Sequence, residues 1–193
     1  MVELIPRELP DDVEFSAPHL QCYAGAQALL RILEVQTGWV QIHAEELGGT
    51  DDAMERVAAE NALERQAIAE GVQVFCAMTV ESALNLLGMM VLGEEQFLRT
   101  IECEAPQRKL RQLAPLIGQP VNETDHGMLA ISRLMNARHG FVHPKPQEGA
   151  LRPSTRMRHG DVQSARAAMD DIHTVFAMLR ALSLRCVPFF MLP

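Results

Sequence analysis

The stretch VFCAMTVESALNLLGMMVL, residues 74–92, is the most apolar part of the chain. Glu81 and Asn85 interrupt its apolar run. A segment that is apolar on nearly all sides is expected to run through the centre of a fold. We therefore predict a buried central helix here rather than a membrane span, because ionisable residues inside a bilayer are costly.

Apolar residues also recur at helical spacing before and after this stretch, and no convincing alternating strand pattern is found. Helices are predicted over residues 19–38, 50–93, 122–143 and 162–186, with shorter ones over 94–102 and 105–118. The sequence thus predicts an all-α fold: an up-and-down four-helix bundle with short accessory helices. One helical domain should span residues 1–193, beginning with a lead-in and a helix over residues 1–50.

Composition and charge limit the classes of protein that fit. Of the 193 residues, 48% are hydrophobic and only 5% aromatic, a mixture typical of packed helices. The net charge of −8 argues against a broad basic surface for long nucleic acids, although a local basic groove stays possible. The four cysteines form no CxxC pair, and the N-terminus has acids and prolines where a signal peptide is apolar. We expect reduced thiols and a cytoplasmic protein without a membrane anchor.

A second informative stretch is NARHGFVHPKP, residues 136–146, at the end of the third long predicted helix. Pro144 disfavours helical geometry at His143, so the helix should end there, soon after Arg138 and His139. Between Arg133 and His159 there are six basic residues and one acidic residue. This basic segment is either an ordinary solvated loop or a surface that faces phosphate. The candidate RNA-binding residues are Arg133, Lys145, Arg156 and Arg158.

These residue types fit the chemistry of RNA cleavage. A base must take the proton from a 2′-hydroxyl, and a cation must stabilise charge that builds on the phosphate. Arg138 is the candidate phosphate ligand, His143 the candidate general base or acid, and His139 an orienting or binding residue. Glu81, if it faces the same cleft, would pair with Arg138 and hold its rotamer. Neither catalytic role needs a metal or another cofactor.

The hexamer RHGFVH resembles the R-polar-x3-H motif of the HEPN superfamily, and TVESALNLLG, with Glu81, resembles the second helix of that family. The resemblance covers residues 53–185. It implies a small helical bundle that acts as an endoribonuclease in toxin–antitoxin, phage-defence or stress systems. Two motif helices would meet in a homodimer to form a composite site, and an antitoxin or regulatory protein is a possible partner. The expected products are a 2′,3′-cyclic phosphate and a 5′-hydroxyl.

The chain departs from one toxin subgroup, which has a tyrosine two residues after the motif histidine, where this sequence has Lys145. Regulation through that tyrosine is therefore not implied.

Other interpretations of the motif residues stay open. His143 can be a helix-end residue favoured by the macrodipole, and Arg138 a structural partner of Glu81. The fold can also bind RNA, nucleotide or a protein partner without catalysis. Metal binding by His139 and His143 is not expected, because the motif lacks the glutamate of HExxH.

Overall fold

The computed structural model describes residues 4–6, 17–142, 160–182 and 189–193, and within them the chain is helical with no β-strand. The predicted all-α class is therefore confirmed. The helices are α1 (Pro18–Glu46), α2 (Asp51–Glu60), α3 (Ala62–Leu92), α4 (Glu94–Thr100), α5 (Pro106–Leu113), α6 (His126–Val142) and α7 (Gly160–Leu182), with a 3-10 turn over Ala114–Ile117 between α5 and α6.

Helix α3 lies at the centre and packs against α1, α6 and α7. Its length and composition would allow it to cross a membrane, but 61% of its most apolar 18 residues are buried by the other helices. α1 runs antiparallel to it: Gln36 donates a hydrogen bond to Glu64 near the start of α3, whereas Gly25 packs on Phe75 further along. Residues 74–92 therefore lie in the core, as their apolar pattern predicted.

The last two long helices, α6 and α7, form an antiparallel pair that packs on α3. Gly127 near the start of α6 packs on Met178 near the end of α7, and Arg133 lies beside Asp171. α3 contributes Cys76, whose sulfur lies 3.6 Å from that of Met169. This packing holds the second half of α6 against the middle of α3.

Some local predictions were wrong. α1 does not end at Thr37 and Gly38 but continues to Glu46, because Val40 and Ala44 beyond the glycine are buried in the core. The predicted helix over residues 50–93 is divided at Asn61 into α2 and α3. In α1, burial of the turns after Gly38 outweighs the roughly 1 kcal/mol that a glycine costs inside a helix.

Both ends of the segment predicted as one helix over residues 50–93 have identifiable caps. The Thr50 hydroxyl accepts a hydrogen bond from the Ala53 N–H at 3.2 Å and begins α2. Gly93 ends α3, in agreement with the predicted range, with a positive φ of 80°.

Candidate functional site at the end of α6

An ion pair joins two of the predicted site residues. The Arg138 guanidinium donates through Nη1 to Glu81 Oε2 at 2.7 Å, linking the last turns of α6 to the middle of α3. Both side chains lie at the edge of the core, with 37% of Arg138 and 33% of Glu81 exposed. The guanidinium is thus held in place while more than a third of the Arg138 side chain remains open to solvent.

Helical periodicity explains why these two residues meet. On α6, Ile131 and Leu134 are buried, and Arg138 follows them at the spacing that continues the same face. On α3, Glu81 lies between the buried residues Ala77 and Leu84 on the side facing α6. Both charged side chains therefore lie at the edge of an apolar helix face, where that face meets solvent. Because each side chain is half-buried, each needs a partner of opposite charge.

One turn beyond Glu81 on α3, a second polar contact lies deeper in the fold. Lys109 of α5 is only 2% exposed, and its Nζ donates to Asn85 Oδ1 at 2.5 Å. The same Nζ lies 5.7 Å from the centre of the Phe97 ring, within the range of a cation–π interaction. Asn85, a polar residue on an apolar helix, is therefore paired with a buried lysine.

Burial lowers the pKa of Lys109, and the nearby carboxylates of Glu81 and Glu102 oppose that shift. Glu81 thus lies between two cations, Arg138 in direct contact and Lys109 at longer range. The direct contact with Glu81 orients the Arg138 guanidinium.

Sequence reasoning placed Lys109 in an accessory helix and assigned it no role. A signal was present: Pro106, Leu110 and Leu113 are buried, and Lys109 lies on the same face at helical spacing. A charged residue at a core position of an amphipathic helix requires a buried polar partner on the neighbouring element.

The other predicted site residues are distributed differently. His139 is exposed and lies in the last turn of α6 next to Arg138. Arg133 pairs with Asp171 through two hydrogen bonds, its Nε lying 3.0 Å from Oδ2, so part of its charge is already neutralised. Four predicted residues lie outside the described residues: His143, Lys145, Arg156 and Arg158.

Two further observations bear on the choice of site. In the described part of the chain, no three His, Cys, Asp or Glu side chains are grouped so that they could hold a metal ion. A surface cavity of about 590 Å³ lies where α3 meets α4, between Leu92 and Thr100. None of its lining residues was a predicted site residue.

Comparison with known proteins gives no assignment: no protein-family model, curated protein or solved structure matches this chain.

Proposed function

We propose that this protein is a metal-independent endoribonuclease of the HEPN type that acts in the cytoplasm in a toxin–antitoxin, phage-defence or stress system. The observation that best supports the proposal is the Arg138–Glu81 ion pair at the end of α6. The carboxylate orients a partly exposed cation five residues ahead of His143 in the sequence. A rigid guanidinium with further N–H donors is a suitable ligand for the two non-bridging oxygens of a phosphodiester.

The proposed reaction is transesterification within the RNA. His143 takes the proton from a ribose 2′-hydroxyl, and the 2′-oxygen attacks the adjacent phosphorus. The bond from phosphorus to the 5′-oxygen breaks, and that oxygen receives a proton as it leaves. The products are a 2′,3′-cyclic phosphate and a 5′-hydroxyl. Arg138 stabilises the negative charge that increases on the phosphoryl oxygens, and His139 helps to orient the phosphate.

The proposal includes a particular architecture. The four long helices would form the up-and-down bundle of the HEPN type, and two copies would bring their α6 ends together in a composite site. Lys145, Arg156 and Arg158 would supply the basic surface that binds the RNA backbone. Arg133 contributes less, because Asp171 already engages it. An antitoxin or another regulatory protein would control access to this surface.

Cleavage of RNA by the purified protein in EDTA tests the proposal. The wild-type protein should cleave, and His143→Ala should lose about 10²–10⁴-fold in rate because proton transfer is lost. Arg138→Ala should lose activity through weaker stabilisation of the phosphate charge. A matched control is Arg108→Ala, which removes an exposed arginine of α5 that is ion-paired with Glu104. This control should cleave at the wild-type rate.

Some outcomes would contradict the proposal. Wild-type protein that cleaves no RNA, full activity in His143→Ala, or loss of activity on chelation would each reject it. Mass spectrometry of the product ends supplies an independent check, since a 3′-hydroxyl with a 5′-phosphate is incompatible with attack by the 2′-oxygen.

A non-catalytic role is the second candidate, and the ion pair itself favours it. A single carboxylate–guanidinium contact between two half-exposed residues also suits a structural link between helices. In that case the basic end of the fold would bind RNA, nucleotide or a protein partner. Binding of labelled RNA that weakens in Arg156→Ala, without cleavage in any buffer, would support this candidate over the nuclease.

A further inference from the structure

The second half of α1 has an apolar face that the fold leaves open. Four apolar side chains on this face are exposed: Ile32 (48%), Val35 (73%), Trp39 (48%) and Ile42 (61%). Their spacing of three, four and three residues is the a/d pattern of a coiled-coil seam. We call these four residues the α1 seam.

The seam is on the opposite side of α1 from the core. The residues Leu33, Val40 and Ala44 of this half of α1 are buried, and the helical rotation between residues places the seam about 140° from them. A surface helix of a monomeric protein normally has one apolar stripe and one polar face. Here the polar face is replaced by a second apolar stripe, and the single tryptophan of the chain lies within it.

The seam is complementary to itself when two copies run antiparallel. Pairing Ile32 with Ile42 of the other copy, and Val35 with Trp39, forms continuous apolar layers in which every seam residue finds a partner. The two-fold axis then passes between the two helices close to Thr37 and Gly38. The paired segments would be about 20 Å long at the helical rise per residue.

The flanking charges fit the same pairing. In this register Arg31 lies opposite Glu45 of the second copy, and the symmetry repeats that contact at the other end of the seam. Both residues are exposed. Gly38 faces itself across the axis, and a Cβ built on it would meet nothing within 4 Å, so it leaves room for a close approach. In a parallel pairing in register, Arg31 would instead lie opposite Gln36 of the second copy, so the contacts between opposite charges would be lost.

From these relationships we propose that the α1 seam is a self-association surface, on which a second copy of this chain packs its own α1 in antiparallel orientation. Glu45 and Glu46 beside the seam disfavour an anionic membrane as the occupant. The proposal does not depend on ribonuclease activity. It also concerns a different surface from the α6 end, because α1 packs on α3 and α7 whereas Arg138 is at the contact of α6 with α3.

Trp39 provides a probe of this association within the native chain. Its indole should be partly exposed in the free chain and buried in the dimer, so its emission should shift to shorter wavelength as the protein concentration rises. Sedimentation equilibrium on the same samples gives the dissociation constant. Circular dichroism then checks that each variant keeps its helical content.

Ile32→Glu should raise the dissociation constant by at least about tenfold, because each copy would bury a carboxylate against an apolar partner. The matched control is Leu98→Glu, which replaces an apolar residue of the same 48% exposure on α4, at the far end of α3. The control should associate like the wild type. Equal weakening by both substitutions would show that general surface hydrophobicity, not the seam, drives association.

Charge reversal tests the antiparallel register. Arg31→Glu and Glu45→Arg should each weaken the dimer severalfold, since each places like charges opposite one another. The double variant restores opposite charges and should recover the wild-type dissociation constant. A double variant as weak as the two singles would overturn the antiparallel arrangement. A wild-type protein that stays monomeric at high micromolar concentration, or a wild-type assembly whose size and dissociation constant Ile32→Glu leaves unchanged, would overturn the seam proposal itself.

Discussion

The Nη1 atom of Arg138 lies 2.7 Å from Oε2 of Glu81, so one ion pair ties the end of α6 to the centre of the fold. Because both residues are partly exposed, the contact contributes little to the free energy of unfolding. Its main consequence is geometric: it fixes the direction in which a cation points at the helix end that precedes His143.

The substitution Glu81→Gln tests whether the ion pair mainly orients Arg138 or mainly stabilises the fold. If the proposed ribonuclease is correct, loss of the carboxylate should lower kcat for RNA cleavage about ten- to hundredfold, because the guanidinium is then misplaced. The free energy of unfolding should change by less than about 1 kcal/mol. Steady-state kinetics and urea denaturation measure the two effects. A variant that cleaves like the wild type would leave Glu81 without a positioning role.

Asn85→Leu should destabilise the fold by about 2 kcal/mol, because it removes the acceptor of a buried ammonium group on Lys109. Adding Lys109→Met should recover most of the loss, since an apolar pair then replaces a buried charge and its partner. Urea denaturation of the wild type, both single variants and the double variant gives the coupling free energy. Additive effects would mean that the two side chains do not interact in solution.

The fold should lose stability as the solution becomes acidic, in part through His19. This residue is fully buried, its Nε2 lies 3.0 Å from the Phe189 carbonyl oxygen, and burial lowers its pKa. The unfolded chain therefore binds a proton near the ordinary histidine pKa of about 6.5, while the folded chain resists it. The stability that follows from keeping His19 neutral is therefore fully present above that pH, and the free energy of unfolding decreases below it. His19→Gln should flatten the fall in Tm between about pH 7.5 and pH 5.5. An unchanged fall would exclude His19 as a cause.

Gly88→Ala should destabilise the protein by about 1–2 kcal/mol, despite the better helix propensity of alanine. A Cβ at this position would overlap the Phe97 ring, which packs directly on the glycine. Gly38→Ala is the matched control, because nothing lies within 4 Å of its added Cβ. Measured at a protein concentration that keeps the chain monomeric, this control should gain about 0.5–1 kcal/mol. Equal effects of the two substitutions would contradict the packing at Gly88.

The candidate site was only partly predictable. The sequence suggested that Glu81 would pair with Arg138, because two charges on apolar helices need partners, and the structure contains that contact. The partner of Asn85 could not be predicted, because Lys109 is 24 residues away on a helix whose position is set by packing. The pairing of Arg133 with Asp171 was also unforeseen, since it depends on the register between α6 and α7.

The sequence by itself determined the all-α class, the central position of residues 74–92 and the end of α3 at Gly93, because apolar periodicity and glycine act over one or two turns of chain. Only the tertiary structure decided that α1 continues through Gly38, that Lys109 is buried and that the α1 seam is exposed. Each of these depends on which face of one helix meets another helix. Which helix faces meet depends on the total burial of side chains that are distant in the sequence, so a local sequence pattern cannot predict it.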